Sequence, residues 1–214
     1  MYLTLQLAYS FVLFLVASFS IFMYIKKDGR KQDFLYIYLG VSFCLEFGMF
    51  VIQTHFSSTS SFGFLYNAYI LFCSFFFLKY YNQGQKRGFI VLNNIIFILF
   101  LIIYTMFLYK SYKEVNQVIG ISFSLVYILY SLIWMYGKLK YPDFKSITAD
   151  PKFWISCALL FWGVFFLLRI IPRYLFNQMD VQVLIISQSF FFVINIFFYF
   201  LFFIGLIKYL KKYE

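Results

Sequence analysis

Apolar residues along this chain come in runs of about 20, the length an α-helix needs to cross a hydrocarbon layer roughly 30 Å thick. Short joining segments separate one run from the next. The pattern predicts seven spans, at 2–25, 34–53, 62–81, 88–109, 117–137, 152–174 and 181–207. A transmembrane barrel would instead alternate polar and apolar residues over segments of about ten, whereas every position from Ile95 to Ile103 is apolar. Backbone groups in lipid have to be satisfied within the segment that carries them, and helices do this. The expected fold is all-α: a single transmembrane domain over 1–214, built as a seven-helix bundle. The first run, Met1 to Tyr24, has no basic leading region and no small-residue cleavage site, so it reads as a span rather than a signal peptide.

Composition agrees with this reading and charge adds direction to it. With 64% hydrophobic and only 12% charged residues, the chain lies outside the usual range of soluble domains. Its 18 basic residues outnumber 8 acidic ones and give a net charge of +10. Positive loops stay in the cytoplasm. With the N-terminus outside, fourteen basic residues, from Lys26 to Lys212, fall on the cytoplasmic side, leaving only Lys110, Lys113, Arg169 and Arg173 for the other. The expectation is a multi-pass protein of the cell's inner, cytoplasmic membrane, with its C-terminus inside. The charges sit at span ends and are not gathered on one soluble face, as nucleic-acid binding would require. The lipid bilayer, with its anionic headgroups, is the expected partner, and nucleic acid is not.

Several chemistries lack the residues they need. Cys44, Cys73 and Cys157 each fall within a span, where thiols act as small buried hydrophobes, and no CxxC spacing joins them. The single histidine, His55, has no neighbouring carboxylates with which to hold a metal. No serine stands in a GxSxG setting. A retinal-type Schiff base would require a lysine in the middle of the last span, yet that span has none before Lys208. No two-halves repeat marks a secondary transporter, and Pro172 is the only proline inside a span. No cofactor, no metal and no enzymatic activity are expected.

The polar residues inside the spans are the remaining pointers, because polar groups in lipid are costly. With a helical rise of about 1.5 Å per residue, Glu46, Asn67, Arg169 and Gln188 lie roughly 18, 21, 25 and 28 Å from the cytoplasmic boundary. They are expected to share the outer half of the bilayer. Glu46 with Arg169 as its partner, together with Asn67, Gln188 and Tyr66, would line a polar pocket open to the outer face. The competing role for such residues is helix-to-helix hydrogen bonding. That is the role expected of Asn93 and Asn94, lower in the fourth span, and of Asn195 in the seventh. The longest cytoplasmic loop, 137–151, mixes lysines with Asp143 and Asp150 and is the candidate docking surface for a partner. Asp150 and Pro151 form a cap and first-turn pair for the sixth span.

The stretch Asp150-Pro151-Lys152-Phe153-Trp154-Ile155 resembles the DPxFWI signature that opens the sixth span in a family of uncharacterised seven-helix integral membrane proteins of Bacteroidota. Glu46 and the triplet Leu65-Tyr66-Asn67 agree with that resemblance. Members of the family look like the membrane sensing modules of two-component systems. The resemblance therefore implies a membrane fold with a sensory or accessory role. The chain departs from the family pattern after the triplet, where a second carboxylate is common and this sequence has Ile70, Leu71, Phe72 and Cys73.

The expected function is thus a membrane-embedded sensory or accessory subunit with an outward-facing polar pocket, signalling to a separate protein. The chain as it stands carries no soluble output domain, so a signal is expected to leave through the loops. A transporter or oligomeric pore is the alternative, and would need a continuous polar path linking Asn94 through Asn195 to the outer cluster. A lipid-modifying enzyme using Glu46 as acid or base is a third reading, with one carboxylate and no nucleophile behind it. Composition does not indicate an oligomeric state.

Overall fold

The computed structural model describes residues 2–27, 32–55, 63–110, 116–142, 146–175 and 181–212, with side chains described for 4–26, 32–52, 63–109, 116–142, 146–170 and 186–211. Its described residues form seven α-helices: α1 (Tyr2–Lys27), α2 (Leu35–His55), α3 (Gly63–Asn82), α4 (Arg87–Lys110), α5 (Gln117–Lys140), α6 (Pro151–Leu175) and α7 (Val181–Lys212). A 3-10 turn, Ile147–Ala149, precedes α6. All seven helices are long and apolar enough to cross a membrane.

Two helices extend beyond their apolar runs. α5 continues to Lys140 and α7 to Lys212, because leaving hydrocarbon for headgroups and water removes the apolar pattern but does not break the backbone ladder, and lysine is a good helix former. Helix starts carry identifiable caps. The Asn116 side chain accepts a 2.9 Å bond from the Val118 amide at the head of α5. Asp150 Oδ1 accepts a 3.0 Å bond from the Lys152 amide, with Pro151 as the first residue of α6, the pairing that the sequence predicts.

The chain divides into two compact units. The first comprises residues 1–58, 145–158 and 171–214, and so holds α1, α2, the opening turns of α6 and α7. In it α1 packs against both α2 and α7. Its core consists of Leu13, Val16 and Ala17 from α1, Tyr38 and Leu39 from α2, Ile155 from α6, and Phe198, Phe202 and Leu206 from α7. Tyr38 and Phe202 meet at 5.6 Å between ring centres, and Phe19 and Phe203 at 5.1 Å. α6 and α7 approach closely where Gly205 lacks a side chain: a Cβ there would lie 2.8 Å from Ile155 Cδ1.

The second unit comprises residues 59–144 and 159–170, and so holds α3, α4, α5 and the middle of α6. α3 packs on both α4 and α5, and α4 packs on α5. Phe77 and Tyr81 from α3, Phe100 from α4, and Tyr127, Tyr130 and Trp134 from α5 fill its interior. The rings interlock edge to face, as between Phe77 and Tyr127 at 5.0 Å, an arrangement the aromatic quadrupole favours. Gly163 of α6 sits against α5, where a Cβ would lie 2.9 Å from Ile128 Cγ1 and 3.1 Å from the Ser124 carbonyl. Among the described residues, α4 is the least buried of the seven spans. Val91, Ile95, Ile98, Ile102 and Met106 are exposed along one stripe while Asn93, Phe100 and Tyr104 are buried on the other side. In water such a stripe would be an unusually large apolar patch; facing lipid, it costs nothing.

Candidate functional site

The five residues expected to form an outer pocket are shared between the two units. Glu46 and Gln188 belong to the first, while Tyr66, Asn67 and Arg169 belong to the second. Glu46 is half-buried and falls on the stripe of α2 that carries the buried Tyr38, Leu39, Ser42 and Met49. A turn earlier, the Ser42 hydroxyl bonds back to the Tyr38 carbonyl at 2.8 Å. Gln188 is exposed on α7, flanked by exposed Ile186 and Phe190. Asn67 is fully buried on α3, and its carbonyl accepts a 3.0 Å bond from the Tyr104 hydroxyl of α4. Tyr66 and Arg169 are half-buried.

Asn93 and Asn94 meet a third amide. Asn93 Nδ2 donates to Asn82 Oδ1 at 3.0 Å, and Asn82 Nδ2 donates to Asn94 Oδ1 at 3.2 Å. This chain ties the end of α3 to the first turns of α4. Asn93 is buried and Asn94 exposed. Asn195 is half-buried on α7. The side chains of His55 and Pro172, and residues 143–145 of the long loop, lie outside the described residues. Among the described residues no group of three or more His, Cys, Asp or Glu comes together, and the three cysteines are free thiols.

A more concentrated polar assembly lies at the end of the first unit where α1 and α7 finish and α2 and α6 begin. It is centred on Asp33. The Tyr209 hydroxyl, from the last turns of α7, donates to Asp33 Oδ2 at 2.6 Å. Lys152 Nζ, from the first turn of α6, stands 3.6 Å from the same oxygen, with the lysine 12% and the aspartate 22% exposed. The neighbouring Gln32 is fully buried and returns the chain to α1: the Ser20 hydroxyl donates to Gln32 Oε1 at 2.6 Å, and Gln32 Nε2 donates to the Ser20 carbonyl at 2.9 Å. On the α6 side, Trp154 Nε1 donates to the Thr148 carbonyl at 3.0 Å and holds the 3-10 turn down.

The backbone here is strained. Asp33 and Phe34 have φ values of 50° and 63°, the left-handed region that side-chain-bearing residues seldom occupy. Aspartate tolerates it better than phenylalanine, and the Asp33 carboxylate is held there by Tyr209 and Lys152. The reversal turns the Asp33 carboxylate toward Tyr209 and Lys152 just before α2 starts. Chemically the assembly is a charge-assisted joint: one carboxylate links the head of α2, the head of α6 and the tail of α7.

Only part of this assembly had a signal in the sequence. Lys152 lies within the hexapeptide that opens the sixth span, where it reads as one more basic residue at a span end. Tyr209 is 176 positions from Asp33, and no local pattern joins them.

Seven helices of spanning length with apolar outer faces define a multi-pass helical membrane protein. No known protein family, curated protein or solved structure matches the chain.

Proposed function

We propose that this protein is a membrane-embedded sensory or accessory subunit, with its input at Glu46 and its output at the loop 137–151. The observation that carries the reading is the Asp33 joint. Asp33 stands two residues before α2, and Glu46 lies 13 residues farther along the chain, about 20 Å by helical rise. A rotation or shift of α2 that follows a change at Glu46 alters the register of Asp33 against Lys152 and Tyr209. Lys152 is the second residue of α6, so the displacement reaches the end of the long loop. The same hexapeptide that carries the resemblance to sensing modules supplies Asp150 and Lys152. In this reading the N-terminus is outside and the C-terminus cytoplasmic, as the distribution of basic residues supports. The membrane is the cell's inner one, and a separate protein docks on the loop.

The test uses a cysteine-free background with Thr148→Cys, an exposed position, carrying an environment-sensitive fluorophore in full-length protein reconstituted in vesicles. Bath pH, salt and a panel of small polar solutes are varied in turn. A stimulus that changes the signal in wild type is expected to lose its effect in both Glu46→Gln and Asp33→Asn. Silence under every stimulus, or a response that survives Asp33→Asn, would overturn the proposal.

A further inference from the structure

At one end of the second unit, where α3 and α5 finish and α4 begins, basic side chains gather over aromatic rings. Lys86 Nζ lies 3.1 Å from the centre of the Tyr141 ring. Lys140 Nζ lies 5.9 Å from the same ring and 5.9 Å from that of Tyr136. Phe89 meets both tyrosines edge-on, at 6.2 and 6.4 Å. Two ammonium groups thus share one ring and stand no farther apart than the sum of their two distances from it. Arg87, the first residue of α4, is exposed beside them.

Like charges held this close repel one another, and a cation over a ring gains only modestly at an exposed site. The ring contacts therefore gather the charges without neutralising them. No described residue at this end of the unit is acidic; the unit's two carboxylates, Glu114 and Asp143, lie outside the described residues. The Lys86 carbonyl accepts the Phe89 and Ile90 amides at 3.0 and 3.2 Å, so Lys86 marks the start of a 24-residue helix whose N-terminal dipole also favours an anion. Immediately toward the membrane, Leu132, Tyr136 and Leu139 of α5 and Val91 and Leu92 of α4 are exposed. Cations above a lipid-facing apolar wall match an amphiphile with an anionic head.

We infer that this end of the second unit binds the phosphate headgroup of an anionic phospholipid, with Lys86, Lys140 and Arg87 holding the phosphate, Tyr136 and Tyr141 positioning the lysines, and the exposed α4 and α5 side chains receiving the acyl chains. The site is independent of the sensory reading and requires only that the helices lie in a bilayer.

Full-length protein in a neutral detergent is titrated with phosphatidylglycerol, phosphatidylcholine and inorganic phosphate, with binding read by native mass spectrometry and by melting temperature. Phosphatidylglycerol is expected to bind and stabilise, and phosphatidylcholine and inorganic phosphate to do neither. Lys86→Gln and Lys140→Gln should each weaken phosphatidylglycerol binding about fivefold, the factor that one basic residue near an anionic surface contributes. Lys211→Gln, which removes the same charge from the other unit, should not. Equal loss in Lys211→Gln would reduce the site to diffuse attraction and overturn the inference, and equal stabilisation by inorganic phosphate would do the same by removing the lipid. If a glutamine variant fails to fold, Lys86→Arg and Tyr141→Leu decide the matter: the first should retain binding and the second lose part of it, and unchanged binding in Tyr141→Leu refutes the arrangement.

Discussion

Replacing Asp33 probes the joint that holds the head of α2. In Asp33→Ala, the Tyr209 hydroxyl loses a 2.6 Å charge-assisted acceptor. Hydrogen bonds to charged groups contribute about 1.5–3 kcal/mol. Tyr209 is only 2% exposed, so its hydroxyl has little access to water and the upper half of that range applies. Lys152 also loses the carboxylate 3.6 Å away, but its longer separation and partial exposure limit that loss to roughly 0.5–1 kcal/mol. Alanine further places a β-carbon at a φ of 50° without the local hydrogen bonding that makes aspartate tolerable there. The expected cost is about 3–4 kcal/mol, a fall in melting temperature of roughly 6–16 °C for a chain of this size. Asp33→Gly should be milder than Asp33→Ala by about 1 kcal/mol, since glycine occupies the left-handed region freely. Asp33→Asn, which keeps an acceptor and tolerates the backbone, should cost about 1–1.5 kcal/mol.

The assay is thermal unfolding of detergent-purified protein followed by intrinsic tryptophan fluorescence, with Tyr209→Phe and the double variant completing a cycle. The double variant should cost little more than Asp33→Ala alone, giving a coupling energy of about 2–3 kcal/mol. Additive costs, or an Asp33→Ala protein that melts with the wild type, would refute the reasoning: the carboxylate would then not be the joint between α2, α6 and α7.

Gly163→Ala places a methyl group 2.9 Å from Ile128 Cγ1 and 3.1 Å from a backbone carbonyl that cannot step aside; it should cost about 1–3 kcal/mol, while Gly48→Ala, with nothing within 4 Å, should be neutral or stabilise by up to about 1 kcal/mol, both read by the same melting assay. Asn93→Ala breaks the amide chain at its buried member and should cost about 0.5–1 kcal/mol. Asn94→Ala, at the exposed end of that chain, should cost less than half as much, and reversal of that order would show that the amides do not act through Asn82.

The helices were legible because the bilayer imposes a length, and a run such as Ile95 to Ile103 admits one reading. The ends were less so: α7 passes the last apolar residue and continues to Lys212, since backbone hydrogen bonding is indifferent to the membrane boundary. Glu46 and Asn67 stood out as polar residues inside apolar runs, and both lie on or within packed helix faces. Gln188 stood out in the same way yet is exposed, because polarity alone does not say which way a helix is turned. Asp33 carries no signal of its own, because an acidic residue beside basic residues in a short loop is unremarkable. Its role arises from a left-handed turn that no local pattern announces and from a tyrosine on the last helix.

The contrast between α3 and α4 bears on how the chain enters the membrane. α3 is the least apolar of the seven candidate spans and α4 among the most apolar, and α3 ends in Lys79, Tyr80, Tyr81 and Asn82. A segment so weakly greasy gains little by partitioning alone from the insertion machinery, and its buried faces have no partner until neighbours arrive. α4 follows after a turn of four residues, and the amide chain from Asn82 to Asn93 and Asn94 shields polar groups that each helix would otherwise carry bare into hydrocarbon. The two helices are thus suited to leave the translocation channel together as a hairpin, with the strongly apolar member drawing in the weaker one and the order of synthesis placing them side by side.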